Sequence, residues 1–507
     1  MNRSRLIKAL SAFALTGTLS LGSLLQAAAA PAQNADNDYG RDNAAYNNYS
    51  KPYSNTDRLH NRSFGISHLT RYDMQKIVEQ QGSPRYEVPA FDASSIQNLA
   101  SATATDSEGK SYALDVWDSW PLQNADGTAA NYHGYHIVFA LAGNPSNSSD
   151  TFIYLFYQKA RDTSINSWKN AGRVFTPDAH LQTSDPYLQK QSEEWSGSAT
   201  LTQDGKIRLF YTDREPWAPD QKMYGDQILT TAQVNVQSSA DNTLKIDGTE
   251  DYKSIFAGDS KYYQTAEQGI ENSLDNHTLR DPHYVEDNGH KYLVFEANTG
   301  TEDGYQGDDQ LNNWAYYGGS PSYFQKERAS LLNSPKRDLA AVANGALGII
   351  ELNNDYTLKK VMKPLITSNT VTDEIERANV FKKNGNWYLF TDSRGAKMTI
   401  DGVSDKDVYM LGFVSHSLTG PYKPLNGSGL VLRMALDPNG LTWTYSHFAI
   451  PQKAGDNVVV TSYMTNRGLF ADHHSTFGPS FLVRVKGRHT SVVPNKILNQ
   501  GQLTTND

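Results

Sequence analysis

Asn384-Gly385-Asn386-Trp387-Tyr388-Leu389-Phe390-Thr391 has the pattern of a tight hairpin turn running into a buried strand. Asn-Gly tolerates positive φ at both central turn positions, and aromatic and β-branched residues suit a pleated surface. The same pattern occurs four more times. Gly134 leads into Tyr135–Leu141, and Asp204-Gly205 into Lys206–Tyr211. Asn288-Gly289 leads into Lys291–Glu296, and Gly455-Asp456 into Val458–Tyr463. The marker glycines are 71, 84, 96 and 70 residues apart. That period accommodates a four-stranded blade plus loops, so five repeats predict an all-β, five-bladed propeller. The uneven spacing leaves two packed β-sandwiches as the alternative.

Polar motifs follow the same rhythm. Asp118 of Trp117-Asp118 lies 16 residues before its glycine, Trp195 of Trp195-Ser196 ten, Asp281 of Arg280-Asp281 eight, Glu376 of Glu374-Ile375-Glu376 nine, and Tyr445 ten. In a propeller the strand before the hairpin is nearer the axis. Five motifs at one position per blade then converge on a central pocket.

The chemistry of that pocket follows from its carboxylates. In Val116-Trp117-Asp118-Ser119-Trp120, strand alternation places Asp118 on the face of Val116 and Trp120, where a carboxylate is costly unless paired or working. Glu374 and Glu376 are two apart and share a face, which raises at least one pKa and suits a general acid. Pro282 restricts Asp281 to an extended conformation that aims it into a cleft. Hydrogen-bonded structural roles and a solvated strand face remain the plain alternatives for these acids. The chain has no HExxH, GxSxG, P-loop or GxGxxG motif. His473-His474 reads as a solvated pair in a polar loop. Carboxylates with Trp, Arg and Tyr favour a sugar, whose apolar ring faces stack on aromatics.

Composition agrees. The 507 residues include no cysteine, which excludes disulfides, thiol nucleophiles and thiolate metal sites. Net charge is −9 with no basic stripe, which argues against a nucleic-acid partner. Arg3, Arg5 and Lys8, the apolar stretch Ala9–Leu25 and Ala27-Ala28-Ala29 have the layout of a secretory signal peptide. We therefore expect a signal segment at 1–29, a polar leader at 30–59, a catalytic domain at 60–500 and a tail at 501–507. The mature protein is expected to be secreted, extracellular, monomeric and free of membrane spans. Helical spacing is found over Thr70–Gln81, with Met74, Ile77 and Val78 on one face, and over Gln325–Leu332.

The stretches VWDSWPLQNADG (116–127), EWSGSAT (194–200), HTLRDPHYVE (277–286), YLVFEANTGTEDGYQG (292–307), TDEIERANVF (372–381), YLFTDSRG (388–395) and YSHFAIPQ (445–452) resemble the bacterial levansucrases, glycoside hydrolase family 68. The resemblance spans about residues 60 to 500 and is nearest to the enzymes of Gram-positive bacilli. It implies a five-bladed propeller with a funnel-shaped central pocket. It implies Asp118 as nucleophile, Glu376 as general acid/base and Asp281 as transition-state stabiliser. Trp117, Trp195 and Ser196 correspond to the fructose pocket. Arg280 and Glu374 correspond to glucose-side and acid-tuning contacts, Arg394 to the glucosyl side, and Tyr445 to a support for the acid/base. The resemblance also implies a structural Ca2+ held by Asp275, Gln306, Asn344 and Asp373 side chains and the Val342 carbonyl, an oxygen-only set of the kind calcium takes.

The implied reaction is a retaining double displacement on sucrose, with transfer of fructose to a growing β-2,6 fructan, to sucrose or to water. An inulosucrase, a mainly hydrolytic enzyme and a non-catalytic sugar-binding propeller are the alternatives. The segment Arg214-Glu215-Pro216-Trp217-Ala218-Pro219 and the leader are individual to this chain, which bears on acceptor preference or product length.

Overall fold

The computed structural model describes residues 67–505, apart from residues 148, 177–191, 217–224, 240, 242, 270–273, 303, 436–442 and 465–473. The expected signal segment and leader lie outside the described residues, as do His473, Trp217-Ala218-Pro219 and the last two residues of the tail.

Two hairpins show why the turn pattern is informative. Asn288-Gly289 and Asn384-Gly385 all have positive φ, between 51° and 80°. Registers Asp287↔His290 and Lys383↔Asn386 leave a two-residue turn between the strands. Such turns match the right-handed twist of the strands they join.

Among the described residues, twenty strands make five blades in chain order, each antiparallel within itself, the first two being joined into one sheet by the parallel pairs Leu122↔Ala199 and Gln123↔Thr200. Blade 1 holds β1 (Asp115–Gln123), β2 (Tyr135–Gly143), β3 (Phe152–Lys159) and β4 (Lys169–Arg173). Blade 2 holds β5 (Glu193–Leu201), β6 (Ile207–Pro216), β7 (Gly225–Ser238) and β8 (Leu244–Phe256). Blade 3 holds β9 (Leu279–Asp287), β10 (His290–Asn298), β11 (Gly345–Leu352) and β12 (Leu358–Val361). Blade 4 holds β13 (Glu376–Lys383), β14 (Asn386–Arg394), β15 (Val408–Ser415) and β16 (Leu430–Met434). Blade 5 holds β17 (Thr444–Pro451), β18 (Asn457–Met464), β19 (Pro479–Lys486) and β20 (His489–Gln500). The five strands marked by glycine in the sequence are the second strands β2, β6, β10, β14 and β18. The strands before them, β1, β5, β9, β13 and β17, contact one another in a closed ring. The five-bladed propeller expected from the repeat is the observed fold, and the two-sandwich alternative is not.

Apolar wedges between neighbouring blades make the core. Phe210 and Leu229 pack against Leu293 and Phe295, joining blades 2 and 3. Val294 and Ile349 meet Leu389 and Leu411 between blades 3 and 4, and Phe390 and Met410 meet Val458 and Phe481 between blades 4 and 5. Trp120, Phe448 and Phe477 belong to the wedge that closes blade 5 on blade 1. Each such side chain, fully buried, contributes about 1.5–3 kcal/mol. The backbone adds to this closure: Val116 N–H donates to Ser475 O at 3.0 Å and Ser475 N–H to Asp115 Oδ1 at 2.8 Å.

The helices are peripheral. Helix α1 (Arg71–Gln80) is capped by Thr70, whose side chain accepts from Asp73 N–H; Met74 and Ile77 are buried as expected, and Val78 is half-buried. Arg71 is also buried, donating to Glu327 and to the Thr370 carbonyl. Helix α2 (Trp314–Tyr317) and helix α4 (Arg337–Val342) carried no clear sequence signal. Between them, α3 (Pro321–Leu332) starts earlier than the spacing suggested, because Ser320 caps it and Pro321 occupies its first turn. No helix among the described residues is long and apolar enough to cross a membrane.

Candidate active site

Every inner strand carries a β-bulge at its polar motif. In blade 1 the register steps from Trp117↔Leu141 to Ser119↔Ala140. In blades 2 to 5 it steps from Trp195↔Thr212 to Ser198↔Phe210, from Arg280↔Glu296 to His283↔Val294, from Glu376↔Asp392 to Asn379↔Phe390, and from Tyr445↔Tyr463 to Phe448↔Thr461. Each step inserts one extra residue, which re-aims side chains and increases local twist. Consecutive residues thereby face the same space, which plain alternation forbids.

Two expectations are corrected here. Asp118 does not share the face of Val116 and Trp120: those two pack in the core, whereas Asp118 is set at the bulge and accepts from Ser196 Oγ at 2.7 Å. Asp281 is not extended before Pro282: its φ is +58°. The conformation is held from both sides. Asp281 N–H donates to Thr212 Oγ1 at 3.0 Å, and Asp281 Oδ2 accepts from Arg377 N–H at 2.9 Å, Arg377 being itself at φ +60°. At the bulge of blade 2 the backbones approach closely at Gly197, where a Cβ would lie 1.9 Å from Phe210 O.

The expected residues come together. Asp118, Asp281 and Glu376 are buried at the ring of inner strands, and carboxylate oxygens of Asp281 and Glu376 lie within 4.8 Å of each other. Glu374 is in the pocket too, although it precedes β13 and is placed by a bend rather than by strand alternation. Arg394 grips it: Nε donates to Glu374 Oε1 at 2.7 Å and Nη2 to Oε2. Arg280 Nη2 lies 3.6 Å from Glu376 Oε2 and 4.0 Å from Glu374 Oε2. The Trp195 ring stacks under Arg280 at 5.8 Å and under Arg214 at 5.3 Å, with its indole N–H donating to Glu193. Trp117 and Tyr445 are buried, and neither the Trp117 indole N–H nor Tyr445 Oη makes a hydrogen bond within the protein.

The two glutamates separate electrostatically. Burial, then the charge of Glu374, push Glu376 well above the usual carboxylate range. Glu374 is also penalised by burial, but Arg394, Arg280 and Lys397 outweigh that and hold it below its ordinary value. The two carboxyls are thus driven apart, Glu376 toward its protonated form and Glu374 toward its ionised form, the direction acid catalysis needs. Burial, partly offset by Arg377 and Arg280, raises Asp281.

Glu296 was not singled out in the sequence. It is fully buried on β10 and lies 2.7 Å from Arg280 Nε, and its carboxylate falls within 4.8 Å of those of Asp281 and Glu376. The signal available was its register, opposite Arg280 at the end of the third marked strand. Among the described residues, Asp281, Glu296 and Glu376 are the one group of three acidic or histidine side chains close enough to share a metal ion. Arg280 already neutralises this cluster, so a cation there would compete with a guanidinium.

The residues expected to hold calcium converge elsewhere. Gln306 Nε2 lies 2.6 Å from Asp275 Oδ1, 3.1 Å from Val342 O and 3.4 Å from Asn344 Oδ1. Asp373 joins them through Asn298, whose Nδ2 donates to Asn344 Oδ1 at 2.8 Å and to Asp373 Oδ1 at 3.1 Å. Gln306 Oε1 is buried with no hydrogen-bond partner. Turning that amide over would add Oε1 to the oxygens of Asp275, Val342 and Asn344. The donor set fits a hard cation. Asn276 links the two regions, donating from its backbone to Asp373 at 2.7 Å and from its side chain to Glu374 at 3.1 Å. Lys397 turns away from Arg394 to donate to Leu274 O. His474 approaches Asp115 at 3.3 Å and joins no metal-binding group.

Comparison with known proteins agrees with this arrangement. A family model described as Levansucrase/Invertase matches residues 59–504. The levansucrase of Bacillus subtilis is 65% identical over 460 residues, 90% of this chain and 93% of its own length. A Geobacillus stearothermophilus protein named inactive levansucrase is equally similar, at 65% over 460 residues and the same shares of each chain, so overall identity does not decide activity. A crystal structure of a B. megaterium levansucrase variant superposes with a TM-score of 0.84 at 66% identity, covering 87% of this chain and 99% of its own. A levansucrase variant crystallised with sucrose gives 0.83 at 65%, covering 90% of this chain and all of its own. Matched along nearly its whole described length and by the same fold, this chain belongs to the levansucrase/invertase family, glycoside hydrolase family 68.

Proposed function

We propose that the protein is a secreted fructosyltransferase that cleaves sucrose with retention and builds a β-2,6 fructan. One observation carries the reading: Asp118, Asp281 and Glu376 lie buried at bulges on three separate blades of the inner ring.

Asp118 Oδ2 is engaged by Ser196, while Oδ1 is buried and makes no hydrogen bond within the protein. Oδ1 is the oxygen suited to attack the anomeric carbon of the fructosyl unit. As that C–O bond forms, the bond to the glucosyl oxygen breaks and Glu376 gives its proton to the leaving glucose. Asp281, fixed by Arg377 N–H, opposes the positive charge that develops on the fructosyl ring. In the second half Glu376 takes a proton from the acceptor hydroxyl, whose oxygen displaces Asp118. A sugar acceptor extends the fructan, and water yields free fructose. Both steps invert at the anomeric carbon, so configuration is retained overall. Trp117, Trp195 and Ser196 border the fructosyl side, and Arg280, Glu374 and Arg394 the glucosyl side. Tyr445 supports the acid/base in this reading; its buried hydroxyl makes no hydrogen bond within the protein.

Asp275, Gln306, Asn344, Asp373 and the Val342 carbonyl would hold a calcium ion whose bound charge stabilises two buried carboxylates. The protein acts as a monomer in this reading, with a signal segment at 1–29 removed on export.

The test is incubation of the pure mature protein with sucrose. Glucose release together with β-2,6-linked polymer by NMR is the expected result; absence of glucose release would leave a sugar-binding propeller. Asp118→Asn, Asp281→Asn and Glu376→Gln should each lose on the order of 10³-fold or more in turnover while remaining folded. Near-wild-type cleavage by any of them removes that residue from its role.

A further inference from the structure

Glu296 is a buried carboxylate outside the expected set, and the structure gives a reason for its position. At the register of the bulge, the second strands carry Leu141, Thr212, Glu296, Asp392 and Tyr463. Two of these cap a bulge N–H of the following blade: Thr212 accepts from Asp281 N–H, and Asp392 accepts from His447 N–H at 2.6 Å. Glu296 is the equivalent residue facing blade 4, but there Arg377 N–H goes to Asp281 instead. Glu296 is thus released from capping and turns to Arg280, with Oε2 2.7 Å from Nε. Neither of its buried carboxylate oxygens makes a hydrogen bond, so Oε2 holds Nε as a close ion pair. An apolar side chain would be cheaper to bury at such a site unless the carboxyl has a positional task.

That task concerns the other edge of the guanidinium. Arg280 Nη2 makes no hydrogen bond, yet it lies 3.6 Å from Glu376 and 4.0 Å from Glu374. We propose that Glu296 is a positioning residue: it holds Arg280 by Nε, so that Nη2 stays open to a sugar hydroxyl instead of closing on the acid/base carboxyl. The inference rests on the reading of Glu376 as the acid. Glu376 is faced by Arg280 and Asp281 from β9, Glu296 from β10, Glu374 from its own segment and Arg394 from β14. Of these, Arg280 is the group free to move closer. If Glu296 lets go, Nη2 pairs with Glu376, favours its ionised form and removes the proton that the leaving glucose needs. Burial, opposed by Arg280, raises the Glu296 carboxyl to about 8.

The experiment compares wild type, Glu296→Gln and Glu296→Asp for sucrose cleavage across pH, with thermal melts alongside. Gln keeps an acceptor where Oε2 lies; Asp withdraws it by one methylene. The Asp variant should lose roughly tenfold or more in kcat. The alkaline limb of its kcat/KM profile should move down by about half a pH unit or more. The Gln variant should stay within about threefold of wild type with its limb unmoved. The position of the limb reads only the folded fraction, so early melting of the Asp variant does not obscure it. An inert wild type would defeat the proposed function itself. An active wild type with an unshifted Asp variant, or a Gln variant as damaged as Asp, would overturn the role of Glu296.

Discussion

Ser196 Oγ on blade 2 donates to Asp118 Oδ2 on blade 1 at 2.7 Å, the one side-chain hydrogen bond to that carboxylate among the described residues. With Asp118 as the proposed nucleophile, Oδ1 is left as the attacking oxygen. A hydrogen bond to a charged group contributes about 1.5–3 kcal/mol. Ser196→Ala should therefore lower kcat/KM for sucrose by about tenfold or more, with a melting temperature close to wild type. Steady-state kinetics on the folded variant decide this, and unchanged kinetics would mean that the nucleophile is oriented by something else.

Arg394 grips Glu374 with Nε and Nη2; in the proposed reading this is the glucosyl side, where departing glucose and incoming acceptor would both bind. Sugars are neutral, so the guanidinium acts by its fixed fork of donors rather than by charge. Arg394→Ala should raise the ratio of free fructose to glucose and shorten the products. Chromatography of products at equal sucrose conversion measures both. The same partition and product lengths in the variant would place acceptor control elsewhere.

Calcium should stabilise the fold, because its expected ligands come from segments as far apart as Asp275 and Asp373. At free calcium 100-fold above its Kd the gain is about 2.7 kcal/mol. A thermal melt should shift downward with EDTA and recover when calcium is restored, and Asp275→Ala should melt low under both conditions. A wild-type melt indifferent to both additions rules out a stabilising ion without touching the sugar chemistry.

Acid should destabilise the protein through buried histidines. Burial pushes His283 and His68 down to about 4. In the unfolded chain each titrates near 6.5. Between those values the unfolded state takes up protons that the folded state refuses, so stability is full above about pH 6.5 and falls as pH drops toward 4. For His283 the loss from pH 7 to 4.5 is about 2–3 kcal/mol. Urea melts at the two pH values should show a smaller difference in His283→Gln than in wild type. Equal differences would show that His283 does not contribute to the acid sensitivity.

Part of this molecule is legible without coordinates because it is written locally. An Asn-Gly turn constrains two residues, and the strand after it follows within a few positions, so five hairpins and hence five blades can be counted along the chain. The pairing of Glu374 with Glu376, and the raised acidity range of one of them, also follow from short spacing. Helix α2 was missed because four residues give no periodicity to read.

Period-two alternation failed where function required it to fail. It placed Asp118 with Val116 and Trp120 and made Asp281 extended, whereas a bulge in each inner strand turns these acids inward. A bulge is a relation between two strands, and its cost is met by partners on the next blade: Ser196 for Asp118, Thr212 and Arg377 for Asp281. Family resemblance named the catalytic acids and the calcium ligands, but no spacing rule reached Glu296 or joined Gln306 to Asp275.

The amino-acid sequence by itself determined the repeat and the turn geometry, since these depend on backbone preferences over a few bonds. Only the closed ring decided which groups touch. Closure of blade 5 on blade 1 brings residues separated by hundreds of positions within hydrogen-bonding distance. It also buries them away from water, which pushes the Glu376 carboxyl up while neighbouring guanidinium groups hold Glu374 down.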